Sequence, residues 1–178
     1  MRGTATIIAG VALLGLAGCK EHKPAVGAPV VGGAVAMATL HTVDGTEVGR
    51  ASATEVGGGL RVTIDLHNMP PGTHGAHIHT VGHCDAPDFA SAGGHWNPTG
   101  RKHGSMNPQG PHQGDMPNLV IGTDGRGAIG MTIPGATMAG LLDTDGSAIV
   151  VHANQDDLMT DPSGNSGARI ACGVFAAS

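Results

Sequence analysis

Histidine is the residue type with the most chemical potential in this sequence. The chain has 11 histidines among 178 residues, and most of them lie between His67 and His112. His77 and His79 are separated by one residue, so on a β-strand their side chains point to one side while Ile78 points to the other. Two imidazoles side by side are a pre-formed pair of metal ligands. A His-x-His pattern also occurs often in surfaces and cores, so the pair alone does not establish a metal site.

Further side chains of the kind that bind metals follow this pair along the chain. They are His95, His103, His112, Asp115 and His152. Sites rich in imidazole suit copper, whereas three imidazoles and one carboxylate in a tetrahedron suit zinc. Together with the first pair, the set contains six histidines and one carboxylate. These side chains are numerous enough for two metal sites.

The composition limits the other kinds of function. The chain is 40% hydrophobic and 13% charged, with 31 Gly and 11 Pro, which is typical of one small, turn-rich globular domain. Charge-driven disorder and coiled coils need more charged residues than this. Aromatic residues make up 2% of the chain and the formal net charge is −5, so we do not expect nucleic acid to be a partner.

The hydrophobic pattern that must position the histidines predicts an all-β fold. Apolar and alternating stretches are short and are separated by turn signals such as Asp44-Gly45 and Asp124-Gly125. The eight candidate strands are Ala34–His41, Glu47–Glu55, Leu60–His67, Gly75–His79, Leu119–Thr123, Ala128–Ile133, Ala148–His152 and Ala168–Phe175. Two long stretches fit no strand, namely Thr80 to Asn118 and Ala153 to Gly167. Most of the candidate ligands lie in the first of these, so we expect the long loops to be functional.

The N-terminal sequence predicts an export signal. An apolar run from Ile7 to Leu16 is too short to span a membrane but fits a signal peptide, and Leu-Ala-Gly-Cys at its end resembles a bacterial lipobox. Residues 1–18 are then a lipoprotein signal peptide, Cys19 is the lipidated residue, and residues 19–33 form a flexible tether. The alternative is an ordinary secretory signal. Lys20 is not the acidic residue associated with inner-membrane retention, so an outer-membrane anchor facing the periplasm is favoured.

Two cysteines are left when Cys19 is set aside. Cys84 and Cys172 are an even number in a chain predicted to be exported to an oxidising compartment, so they are expected to form one disulfide. The alternative is two buried free thiols.

Five motifs, in this order, resemble the copper/zinc superoxide dismutases, in particular their exported bacterial branch. The resemblance covers most of Ala34 to Ser178, which would form one domain. The motifs are GAHIH (75–79), GGHWNPTGRKHG (93–104), HQGDMPNL (112–119), VVHANQDDL (150–158) and GNSGARIACGV (164–174).

The resemblance implies a role for each candidate ligand. Copper would be held by His77, His79, His95 and His152, and zinc by His95, His103, His112 and Asp115. His95 would bridge the two metals through both ring nitrogens, and its copper-side nitrogen would carry a proton during turnover. The resemblance also pairs Cys84 with Cys172.

Two further residues match the family's motifs. Asp156 would accept hydrogen bonds from His77 and His103, although it could also be a surface carboxylate. Arg169 would attract and orient the anionic substrate near copper, although it could instead pair with a loop acid such as Asp161.

The implied fold is an eight-stranded Greek-key β-barrel, a flattened sandwich with the active site in two long loops. The implied activity is disproportionation of superoxide to oxygen and hydrogen peroxide, with copper and zinc as cofactors. The rival reading is an envelope lipoprotein that binds copper and zinc without catalysis. The family's dimers use different surfaces in different branches, so the resemblance allows a homodimer without indicating its surface.

Overall fold

The computed structural model describes residues 33–178, and these form an almost entirely β-stranded structure. The predicted signal peptide, Cys19 and all but the last residue of the predicted tether lie outside the described residues. The strands are β1 (Val35–Thr42), β2 (Glu47–Val56), β3 (Gly59–Leu66), β4 (Gly72–His74), β5 (Ala76–His79), β6 (Leu119–Ile121), β7 (Gly127–Pro134), β8 (Ala148–His152), β9 (Arg169–Val174) and β10 (Ala176–Ala177). A 3-10 turn spans Ala90–Ala92 and a short helix, α1, spans Met138–Leu141. Within residues 33–178, no helix has the length and apolar character needed to cross a membrane.

The strands form a curled antiparallel sheet. Its order is β5-β8-β9-β1-β2-β3-β7, with β10 also paired to β1, and β4 pairs with β6 in a separate two-stranded sheet. Neighbours that are distant in sequence, such as β1 beside β9 and β3 beside β7, give the expected Greek-key character. The all-β prediction is confirmed, and each of the eight predicted strands is present with its ends within two residues of the predicted bounds. The sequence pattern missed β4, whose Gly-Thr-His sequence has no apolar residue to mark a strand, and β10, whose two residues are too few to show alternation.

Alternating side chains build the core on one face of the sheet. In β3, Leu60, Val62, Ile64 and Leu66 are at most 1% exposed, while Arg61 faces solvent. Burying each such aliphatic side chain contributes about 1.5–3 kcal/mol. Because aromatic residues are scarce, the core consists mostly of aliphatic side chains and methionines.

The long loop between β5 and β6 is anchored along β5. The main-chain N–H of Ile78 donates to the carbonyl of Gly114, and the N–H of Trp96 donates to the carbonyl of Ile78, both at 2.8–2.9 Å. Isolated bridges pair His79 with His95 and His77 with Asp115. Backbone pairing therefore brings candidate ligands from the loop next to the two histidines of β5.

A disulfide joins the same loop to β9. Cys84 and Cys172 are bonded and are separated by 88 residues in the sequence. Around the bond, Phe89, Ala148 and Val150 belong to a small apolar cluster that is separate from the main core. The loop is thus attached at β5 by its backbone and at β9 by a covalent bond.

Reducing this disulfide should lower the free energy of unfolding by about 4 kcal/mol. The reason is that the unfolded chain gains conformational entropy when the bond no longer closes a long loop. Urea unfolding with and without a phosphine reductant measures the difference. The double variant Cys84→Ser, Cys172→Ser is the control and should not respond to reductant. Equal urea midpoints for the oxidised and reduced wild-type protein would contradict the prediction.

Candidate metal centre

Four buried side-chain nitrogens in the described part of the chain have no hydrogen-bond partner, and all four belong to histidines. They are Nδ1 of His77 and Nε2 of His79, His95 and His152. Leaving one such buried polar atom unsatisfied costs about 1–3 kcal/mol. Each of these histidines offers one nitrogen as a metal-donor atom, and the four metal-donor atoms lie within 4.8 Å of one another. A single metal ion between them would satisfy all four histidines.

Hydrogen bonds on the far side of each ring fix which nitrogen can bind a metal. Nδ1 of His79 lies 2.9 Å from the carbonyl oxygen of Gly93, and Nδ1 of His152 lies 3.1 Å from that of Gly167. A carbonyl only accepts, so each Nδ1 carries the hydrogen and each Nε2 keeps its lone pair. His77 is turned the other way, since its Nε2 lies 2.7 Å from Oδ2 of Asp156. Its Nδ1 is therefore the lone-pair atom.

Burial keeps these three imidazoles neutral. It lowers the pKa of His77 to about 4, despite the hydrogen bond to Asp156. Burial, followed by the charge of neighbouring histidines, lowers the pKa of His79 to about 2 and that of His152 to about 3. The neutral imidazole is the form that binds metal ions, so the first group is ready to bind at neutral pH.

A second group of donors surrounds the carboxylate of Asp115. Its Oδ1 lies 2.9 Å from Nδ1 of His95, 3.0 Å from Nδ1 of His103 and 3.3 Å from Nδ1 of His112. The Nδ1 atoms of His95 and His112 are 3.4 Å apart. In a tetrahedral zinc site with bonds of about 2.0–2.1 Å, neighbouring ligand atoms are roughly 3.3 Å apart. Three imidazoles and one carboxylate at this spacing fit zinc.

His95 belongs to both groups. Its Nδ1 faces Asp115, while its Nε2 is one of the four unpartnered nitrogens. His77 is also near the second group, and its donor lies within 4.8 Å of donors of His95, His103 and Asp115. Because Nε2 of His77 is already bonded to Asp156, His77 fits the first group and His112 completes the second.

Main-chain N–H groups hold the carboxylate of the second group in place. The main-chain N–H groups of Gly104 and His112 donate to Oδ2 of Asp115 at 2.8 and 3.0 Å. Burial alone would raise the pKa of Asp115, but hydrogen bonds from His103, His95 and Gly104 hold it well below its usual range. Asp115 is therefore ionised and available as a ligand.

Asp156 connects the two groups from behind. Its Oδ2 accepts from His77 at 2.7 Å and its Oδ1 from His103 at 3.0 Å, the two histidines that the sequence analysis paired with it. Although burial acts in the opposite direction, these hydrogen bonds lower the pKa of Asp156 below its usual range. Burial also opposes a charge on His103, but the hydrogen bonds that its ring donates to Asp115 and Asp156 outweigh it and raise the pKa of His103 to about 9. Metal binding at His103 would therefore release a proton.

Arg169, the first residue of β9, lies beside the first group. Its Nη1 donates to the carbonyl of Phe89 at 2.6 Å, and its Nη2 donates to the carbonyl of Gly93 at 2.7 Å. The Gly93 carbonyl is the one that also accepts from His79. The alternative partner, Asp161, is instead bonded to Lys102 at 3.0 Å.

Sequence comparison identifies the family. The profile described as copper/zinc superoxide dismutase (SODC) matches residues 47–175, which is most of the chain. The chain belongs to the copper/zinc superoxide dismutase family. Its activity is the disproportionation of superoxide, and its cofactors are copper and zinc, in agreement with the two donor groups.

Bacterial relatives cover most of the chain. It is 44% identical over 136 residues to a copper-zinc superoxide dismutase of Aquifex aeolicus, covering 73% of this chain and 80% of that one. It is 41% identical over 147 residues to the copper-zinc superoxide dismutase of Caulobacter vibrioides, covering 79% and 84%. The crystal structure of a SOD-like protein from Bacillus subtilis aligns with a TM-score of 0.74 at 41% identity, covering 79% of this chain and 97% of that one.

One supporting histidine of this superoxide dismutase escaped the sequence analysis. His74 is 4% exposed, and its Nδ1 lies 2.9 Å from the carbonyl oxygen of His152. Its Nε2 lies 3.0 Å from the carbonyl oxygen of Pro70. His74 thus fixes the backbone at a candidate copper ligand. Its position beside the His-x-His pair was the only signal in the sequence, and that signal does not reveal a contact across 78 residues.

Gly164 allows Asp156 and His103 to approach each other. Its φ is +62°, and a Cβ at this position would collide with Oδ1 of Asp156 and lie 2.6 Å from Nε2 of His103. Gly100 has a similar φ of +64°, but nothing lies within 4 Å of its Cβ position. The two glycines therefore separate the cost of backbone strain from the cost of crowding Asp156.

Gly164→Ala should weaken zinc binding by about 10- to 100-fold, because it displaces the carboxylate that orients His103. Gly100→Ala is the matched control and should show only the strain of a left-handed alanine, about 1–2 kcal/mol of unfolding free energy. Competition with a chelator of known zinc affinity measures the difference. Equal zinc affinities for the two variants would contradict the assigned role of Gly164.

Proposed function

We propose that this chain is a lipid-anchored superoxide dismutase of the bacterial cell envelope with a defined ligand set for each metal. His77, His79, His95 and His152 hold copper, and His95, His103, His112 and Asp115 hold zinc. The observation that carries this assignment is the set of four buried, unpartnered histidine nitrogens, with His95 presenting its second nitrogen to Asp115.

Copper, when bound, supplies the one-electron chemistry that oxidises one superoxide to oxygen and reduces another to hydrogen peroxide. The residues of the chain control protons and geometry around it. Nε2 of His95 has no protein partner, so it is the ring atom that would take up one proton and give it to the reduced substrate, while solvent would supply the second proton that hydrogen peroxide needs. Gly93 and Gly167 hold His79 and His152 in one tautomer throughout.

Arg169 guides the substrate. Superoxide is an anion, and the chain has a formal net charge of −5, so the long-range field of the protein does not attract it. The guanidinium of Arg169 and the ring of His79 donate to the same carbonyl, that of Gly93. Arg169 therefore supplies a local positive potential beside the candidate copper ligands. This residue favours an enzyme over an envelope lipoprotein that only binds the metals, because metal storage does not need an anion guide.

The N-terminal sequence supports the proposed location. A lipobox-like Leu-Ala-Gly-Cys predicts lipidation of Cys19 and export to the periplasmic side, and Lys20 favours the outer membrane. The disulfide supports an oxidising compartment. Mass spectrometry of the membrane fraction, with Cys19→Ser as the control, tests the anchor.

Arg169→Glu should slow superoxide decay by at least about tenfold, since it replaces an attractive charge with a repulsive one. Pulse radiolysis of copper- and zinc-loaded protein measures the rate, and metal analysis should show normal copper and zinc contents. An unchanged rate with full metal content would remove Arg169 from the site. Wild-type decay no faster than that of the metal-free protein would instead support the non-catalytic lipoprotein.

Asp115→Ala should lose zinc before copper, because Asp115 supplies the only carboxylate of the proposed zinc set. Removing the negatively charged ligand should weaken zinc binding by more than about 100-fold and lower the thermal midpoint. Metal analysis after stepwise dialysis against a chelator follows both ions. The control is Asp124→Ala, an exposed turn carboxylate outside the proposed set. Zinc retention equal to that of the control would defeat the assignment.

A further inference from the structure

A surface hollow borders Arg169, near the first group of histidines. Its volume is about 320 Å³ and its lining consists of Pro87, Asp88, Ala90, Gly167, Ala168 and Arg169. All of these residues except Arg169, which is half-buried, are exposed to solvent. The carbonyl of Gly167 accepts from His152, and Arg169 shares the Gly93 carbonyl with His79. The hollow is therefore a solvent-facing space beside two candidate copper ligands.

Two opposite charges line this hollow. One is the guanidinium of Arg169 and the other is the carboxylate of Asp88. Oδ1 of Asp88 accepts from the main-chain N–H of Ala90 at 3.0 Å, which holds the carboxylate in a turn at the rim. An approaching anion thus meets a fixed negative charge as well as the guiding positive one.

Asp88 is not needed to orient Arg169. Two nitrogens of the guanidinium already donate to the carbonyls of Phe89 and Gly93 at 2.6 and 2.7 Å. Among the described residues, no ion pair within 4.0 Å joins Asp88 to Arg169. Burial lowers the pKa of Arg169, and the negative charge of Asp88 partly offsets this effect. The two charges therefore interact electrostatically without direct contact. The influence of Asp88 is therefore electrostatic.

We propose that the negative charge of Asp88, in the hollow beside Arg169, opposes the attraction of Arg169 for anions. It thereby lowers the rate at which small monovalent anions reach the copper-binding histidines. The inference rests on the proposed role of Arg169 as the anion guide. Without a second cation in the lining of the hollow, Asp88 offsets part of the local attraction of Arg169. Superoxide then enters more slowly than the guanidinium alone would allow.

Asp88→Asn tests the proposal, because the amide oxygen can still accept from Ala90 while the charge is removed. At low ionic strength, the second-order rate constant for superoxide should rise about two- to fivefold, as expected for one unit charge within roughly 10 Å. The gain should shrink towards onefold at about 0.5 M salt, where charges are screened beyond a few ångströms. Pulse radiolysis at several salt concentrations measures both effects.

Asp143→Asn is the matched control. Its Oδ1 accepts from the main-chain N–H of Asp145 at 3.1 Å, so it loses the same charge from the same kind of turn. Asp143 lies by a different hollow, beside Trp96 and Pro98. Its variant should keep the wild-type rate at every salt concentration. An equal gain in both variants would reflect net charge alone and would overturn the proposal.

Azide provides a readout that does not depend on turnover. Titration of the copper-loaded proteins with this small monovalent anion, followed by absorbance, should show two- to fivefold tighter binding to Asp88→Asn at low salt. An unchanged azide affinity and an unchanged rate, with an active wild type, would overturn the role of Asp88 alone. A gain that persists at high salt would indicate altered shape and would also overturn it. If the wild type does not consume superoxide, the proposed function fails, while the azide titration still tests Asp88.

Discussion

The rest of the structure depends on burying a cluster of six histidines and two carboxylates, of which only His95 is partly exposed. Burying so many titratable groups is unfavourable unless each polar atom has a partner. The fold supplies partners on the outer side of the rings, from the carbonyls of Gly93 and Gly167 and from Asp156. The inner nitrogens of the first group have no protein partner. Bound at the proposed sites, copper and zinc would coordinate these lone pairs and balance the charge of the carboxylates, in addition to supplying the chemistry.

The scaffold meets this constraint by bringing two loops onto one strand. Backbone pairing anchors the first loop along β5, and the disulfide attaches it to β9. The second loop supplies Asp156, which reaches the rings of His77 and His103 from behind. This carboxylate makes the two proposed metal sites depend on each other, because a shift at one ring moves the hydrogen bond of the other. Ligands on separate loops can thus have the precision of ligands on one rigid element.

The sequence predicted the strands and the candidate ligands for different reasons. Alternation in segments such as Leu60–Leu66 is local, so it predicts a half-buried strand without knowledge of the rest of the chain. His77, His79 and the loop residues were found because their types and spacing match five motifs of one family. His74 and Gly164 were missed, because their roles consist of contacts with residues far away in the sequence. The tautomers of His79 and His152 were also not predictable, since they are set by main-chain carbonyls that any residue could supply.

Metal binding and substrate entry are controlled by different parts of the molecule. The donor groups lie in the interior, where short hydrogen bonds fix them and where salt screens little. Arg169 is half-buried and Asp88 is exposed, so their charges act across water at the mouth of the hollow. Changes at the rim can therefore alter the rate of anion entry without altering the affinity for copper or zinc. An acidic protein can serve an anionic substrate in this way, because over the last few ångströms the nearest charges outweigh the net charge.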